Sequence, residues 1–250
     1  MKNFLWISKL YFRLSFLELA NYLMIGLPVI FLTVLYLTNN FLNIQMAYYE
    51  IPYYQAGGIM SIVIPMILCF QFFGSDGVAA ALHEDLNGPV GARLKISGTD
   101  ERVFYLAVIV ANWLFFLLTG VVVLAIAHFV FSIYFASIPL TFLALALLSL
   151  MAQVIGVLIF QFTKNKKASG KIGYLLGEIM MAIAIFPTVF FSNSEFLKNT
   201  VSYLPVGLGE RLVAATNFVQ IMFPVGILLG IIGIITIVVF HIRTKKLTGV

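Results

Sequence analysis

IPLTFLALALLSLMAQVIGVLIFQF, residues 138–162, carries no charged side chain and exceeds the roughly 20 apolar residues that cross a bilayer as a helix. Inside lipid every backbone N–H and C=O must be satisfied within the segment or by a closed barrel. A run this long suits a helix, because barrel strands alternate in segments of about ten residues. Working outward, the same reading finds runs at Leu19–Leu37, Ala56–Phe73, Val103–Ile126, Ile172–Phe191 and Phe218–Ile242. The fold expected is an all-α membrane protein of six transmembrane helices, forming a single transmembrane domain over residues 1–250.

Composition agrees with lipid as the main solvent. Hydrophobic residues make up 62% of the 250 and charged residues 10%, where globular domains carry about 25% charged. Mean hydropathy is +1.05. A soluble domain would need far more polar surface to cover its core. Internal repeats and low-complexity tracts are not evident.

The charge pattern orients the runs. All 15 Lys and Arg residues except Lys198 and Arg211 fall in segments on one side of the six runs: Lys2, Lys9, Arg13; Arg93, Lys95, Arg102; Lys164, Lys166, Lys167, Lys171; Arg243, Lys245, Lys246. The positive-inside rule makes that side, and both termini, cytoplasmic. Topology thus accounts for the net charge of +5 without nucleic acid.

Residues 1–18 read as an interfacial helix. Lys2, Trp6, Lys9 and Arg13 fall on one side and Phe4, Ile7, Tyr11 and Leu14 on another. Lys9, Arg13 and Glu18 interrupt the apolar pattern that a signal peptide requires.

Motifs for chemistry within the chain fail one by one. His83-Glu84 begins a zincin pattern, but Asn87 stands where the second His belongs. Ser169-Gly170-Lys171 is no phosphate loop, because Ile172 replaces the hydroxyl residue and Asn165 the first glycine. Cys69 is the only cysteine, which excludes an internal disulfide and a Cys-rich metal site. No metal site, cofactor or catalytic residue is expected in this chain. Among the six runs Glu178 is the only formally charged side chain, roughly 9 Å past Ile172 at 1.5 Å per residue. An intramembrane carboxylate points to a cavity, a partner subunit or a transport path. Gly173-x-x-x-Gly177 and Gly226-x-x-x-Gly230 both read as packing faces.

Two loops are more elaborate than topology needs. The cytoplasmic loop 74–102 opens with a short helix by propensity ending at Leu82-His83-Glu84-Asp85-Leu86, breaks at Gly88-Pro89 and continues through Arg93-Leu94. Docking of a cytoplasmic partner is its expected use. The extracellular segment 192–217, with Tyr203-Leu204-Pro205, is too apolar for a free loop and too interrupted for a span. Short helices dipping into the outer leaflet fit it best.

Taken together, the interfacial N-terminal helix, six runs, Glu84, Gly88, Arg93-Leu94 and Tyr203-Leu204-Pro205 resemble the membrane subunit of an ATP-binding-cassette exporter of the type-2 permease class. One departure is Ser97-Gly98-Thr99, where the family often has Ser or Thr followed by Pro. The resemblance implies a permease subunit in a bacterial plasma membrane, acting as a homodimer or heterodimer with cytoplasmic ATPase subunits that bind ATP and Mg. It implies coupling through Leu82, His83, Glu84, Asp85, Leu86, Arg93 and Leu94, and an extracellular gate at Tyr203, Leu204 and Pro205. The implied cargo is an amphipathic peptide or a lipophilic toxin or antibiotic. The competing reading is a proton- or ion-coupled carrier that uses Glu178.

Overall fold

The computed structural model describes residues 2–17, 19–42, 60–86, 88, 91, 96, 100–133, 135–190 and 195–248. Among them every regular element is helical: α1 (Lys2–Leu17), α2 (Leu19–Leu42), α3 (Met60–Phe70), a 3₁₀ turn (Gln71–Phe73), α4 (Gly74–Leu86), α5 (Glu101–Phe129), α6 (Ile138–Phe162), α7 (Lys166–Phe190), α8 (Glu195–Val201), α9 (Pro205–Val213) and α10 (Phe218–Thr248). Five stretches are long and apolar enough to cross a membrane: Ile62–Leu86, Arg102–Phe129, Ile138–Phe162, Lys166–Ile185 and Phe218–His241. Within α2 a shorter apolar helix, Ile25–Leu37, is added to these.

Helix ends follow local chemistry. Asp100 caps α5 by accepting the backbone N–H of Arg102, and Ser137 caps α6 by accepting that of Leu140, with Pro139 in the first turn. Between these helices Ser132 takes a left-handed φ of 55°, and the N–H of Ile133 reaches back to the carbonyl of Ala127. A left-handed residue just past a helix end is a position usually held by glycine.

The main correction concerns the second span. The sequence ends it at Phe73 and starts a loop at Gly74, but the helix continues through the 3₁₀ turn to Leu86. The physical reason lies in Gly74-Ser75-Asp76-Gly77 and the alanines after it, which look polar or flexible in one dimension but are small. They let α4 lie against α6 and α7. A Cβ on Gly156 of α6 would meet the Ser75 carbonyl at 2.5 Å, and one on Gly173 of α7 would meet the Asp76 backbone at 2.7 Å. This second span and α6 form the centre of the bundle, with Phe72, Ile64, Met66, Leu145 and Leu148 fully buried. Other boundaries shift less: α2 runs on to Leu42 and α10 to Thr248.

Helix α1 packs on α5 through Ile7 and Tyr11, which join Phe104, Tyr105 and Val108 in a second apolar cluster. Trp6, Lys9 and Arg13 are exposed, as the two-sided pattern requires. Leu14, expected on the buried side, is exposed instead. The buried stripe passes through Ser15, whose hydroxyl donates to the Tyr11 carbonyl.

Candidate functional site

The ends of the bundle differ in chemistry. At the basic end the close of α4, the start of α7 and helix α1 come together. The Tyr11 hydroxyl donates to Oδ2 of Asp85. Burial raises the Tyr11 phenol far above its ordinary value, so it acts there as a neutral donor. Lys166 Nζ donates to Oε2 of Glu84 at 2.5 Å, tying α4 to α7 on an exposed surface where such pairs add little stability. His83 Nε2 lies 2.8 Å from Oγ1 of Thr163. Because that hydroxyl spends its proton on the Ile159 carbonyl, His83 Nε2 is the donor.

These bonds divide the expected coupling residues. Leu82 and His83 face the bundle interior, with the His83 ring edge-on to Phe160 at 4.7 Å. Glu84 is exposed, and Asp85 and Leu86 are half-buried. Arg93 and Leu94 lie outside the described residues. A Cβ on Gly88 would meet the Glu84 carbonyl at 2.5 Å, and one on Gly91 would meet the Leu86 carbonyl closer still. Gly91 and Ile96 are both helical, and Ile96 is 88% exposed. Ile96, in the segment between α4 and α5, is more exposed than Leu82 and Leu86, and Phe162 and Trp6 are exposed as well.

At the opposite end, α8 and α9 fold between the close of α7 and the start of α10. Leu204 is the N-cap residue of α9 and Pro205 occupies its first turn. Pro205 is buried, Leu204 half-buried and Tyr203 exposed. The Arg211 guanidinium lies over the Tyr203 ring at 4.4 Å, and its Nη2 donates to Ser202 Oγ at 2.5 Å. α9 packs on α3, α6 and α10, with Gly209 against Leu148 and Leu68.

The buried carboxyl is not the one expected within a span. Glu178 is exposed on α7, and among the described residues no ion pair joins it to Lys171 on the same helix. The buried carboxyl is Glu210 of α9, which burial pushes up to about 8 from an ordinary value of 4.5. Sequence reading passed over Glu210 because a Glu-Arg pair in a turn-rich segment looks like surface.

It also passed over the amides of the span interior. Gln161 Nε2 donates to the Val239 carbonyl at 2.8 Å, joining α6 to α10, while Gln153 and Gln71 Oε1 are buried without a hydrogen-bond partner among the described residues. The available signal was the cost of an amide in an apolar run. Among the described residues no three His, Cys, Asp or Glu side chains converge as a metal cradle. No protein-family model, curated protein or solved structure matches the chain.

Proposed function

We propose that the chain is the membrane permease subunit of an ATP-driven exporter, paired with a second permease subunit and powered by separate cytoplasmic ATPase chains that hold ATP and Mg. The observation that carries this reading is Ile96: an apolar side chain 88% exposed, between α4 and α5. An apolar side chain this exposed is available to a partner surface, and the exposed Glu84–Lys166 pair supplies charge where the close of α4 meets the start of α7. The basic end is cytoplasmic by the positive-inside rule. With α2 as the sixth span, both termini then lie in the cytoplasm.

The exposed Glu178 supports a paired permease. An exposed carboxylate on a membrane helix needs cover from protein or water, and the second subunit provides it. A carrier using Glu178 as its coupling group would want that side chain inside the bundle, where Gln71, Gln153 and Glu210 lie instead. The apolar spans favour an amphipathic peptide or a lipophilic toxin or antibiotic as cargo, moving outward across a bacterial plasma membrane.

Coupling requires that the docking face make different contacts with the ATPase in its two states. The test is vanadate-sensitive ATP hydrolysis by the complex purified in mild detergent from its native membrane. The expected result is a stoichiometric nucleotide-binding chain whose association and hydrolysis are lost in Ile96→Asp and retained in Leu82→Ile. A chain that purifies alone and transports along a proton gradient would contradict the proposal.

A further inference from the structure

Between α8, α9 and the first turns of α10 lies a cavity of about 610 Å³ with both polar and apolar lining. The lining includes Arg211, Ser202, Thr216 and Gln220, the acidic Glu210, and the apolar Val219 and Phe223. The volume falls within the roughly 300–1,000 Å³ of small-molecule sites. Val219 and Phe223 are exposed on the outer surface of α10. Phe223 is five residues past Phe218, about 8 Å along the helix. Val219 and Phe223 both lie in the Phe218–His241 stretch that is apolar enough to cross a membrane, so the cavity borders the end of that span.

The polar lining is arranged for an acceptor. Arg211 is half-buried, and among the described residues no carboxylate lies within ion-pair distance of it. One N–H is given to Ser202 and the ring of Tyr203 supports one face. The other donors of the planar fork remain to match a phosphate or carboxylate. Gln220 takes the Thr216 N–H and hydroxyl on its amide oxygen, at 2.9 and 3.0 Å, which leaves its NH₂ as a further donor.

We propose that this cavity binds an acidic amphiphile, its anionic head on Arg211 and its chain along Val219 and Phe223, and that the occupant is an anionic phospholipid of the surrounding bilayer. The exposed apolar residues of the span in the lining select the lipid source, because a bilayer component is always present there at high local concentration. The site does not depend on the exporter reading. It stands whether or not an ATPase partner exists.

Native mass spectrometry of the full chain in nanodiscs of phosphatidylcholine doped with phosphatidylglycerol tests it. Wild type is expected to retain one more phosphatidylglycerol than Arg211→Gln, whose apparent affinity falls about tenfold, the usual cost of losing a charged hydrogen bond. Arg211→Lys should lie between them, since an ammonium keeps the charge and loses the fork. Ala215→Phe fills the cavity and keeps Arg211, so it should also lose the lipid, which separates occupancy from misfolding of the arginine variant. Added decyl phosphate is expected to displace the lipid where inorganic phosphate does not. Equal lipid retention by wild type, Arg211→Gln and Ala215→Phe would overturn the proposal. Displacement by inorganic phosphate as effective as by decyl phosphate would overturn it too, by making the site one for a free anion.

Discussion

The spans Ile62–Leu86 and Phe218–His241 reverse the order that water would impose. The first is the less apolar of the two and is 89% buried within the chain; the second is the more apolar and only 22% buried. Lipid tails are as apolar as leucine, so burying leucine inside a bundle gains little. Close approach and satisfied polar groups decide what goes inside. The glycine motifs make the same point. Gly173 and Gly177 seat α7 on the second span, with Asp76 and Phe73 where a Cβ would go. Gly226 and Gly230 of the last span meet nothing within 4 Å. One motif, written twice at the same spacing, packs in one place and faces outward in the other.

The strongest way to break this contrast is Gly173→Leu. Its side chain must displace the Asp76 backbone, which does not give way as a flexible side chain does, and overpacking of this kind costs about 1–3 kcal/mol or more. Unfolding in mixed SDS micelles should shift markedly, while Gly226→Leu stays within about 0.5 kcal/mol of wild type. Equal effects at the two positions would mean that α7 does not rest on the second span.

Glu210 sits on the short helix between the two spans and gives a pH test. Its carboxyl keeps its proton up to about 8 in the folded chain, whereas the ordinary value is 4.5. Between those values the folded state binds the extra proton, so stability falls as pH rises from about 4.5 to 8. Glu210→Gln removes that term, so its stability should be flatter over the same window and higher than wild type at the alkaline end. Parallel pH profiles for the two proteins would show that the carboxyl ionises freely.

Gly226→Ala and Gly230→Ala test the outward face with the smallest effect. Each methyl group has room, and Ala is favoured over Gly in a helix by about 0.5–1 kcal/mol. A small gain in stability is expected in detergent. A loss would mean that another surface closes on this face.

Legibility followed the same division. Ile138–Phe162 was readable to the residue, since an uninterrupted apolar run needs no tertiary information. The second span was not, because Gly74, Ser75, Asp76 and Gly77 read as a turn until α6 and α7 are placed against them. Helix α1 was legible as two-sided, yet which stripe is buried depended on its packing against α5, so Leu14 and Ser15 exchanged places. Glu178 and Glu210 could not be ranked from sequence. Charge within an apolar run is visible in one dimension, whereas burial of a short helix among three others is not. Gly226 and Gly173 share a motif, and only the fold separates them.

Sidedness underlies both the proposed docking at Ile96 and the proposed lipid site at Arg211. Cys69 is the only cysteine and is buried, so single-cysteine variants can be made in a Cys69→Ala background. Ile96→Cys and Thr216→Cys should be labelled separately in intact and permeabilised cells with a membrane-impermeant maleimide. Labelling at position 216 in intact cells, and at 96 only after permeabilisation, is the predicted result. The opposite pattern would put the basic end outside and contradict the proposed ATP-coupled permease.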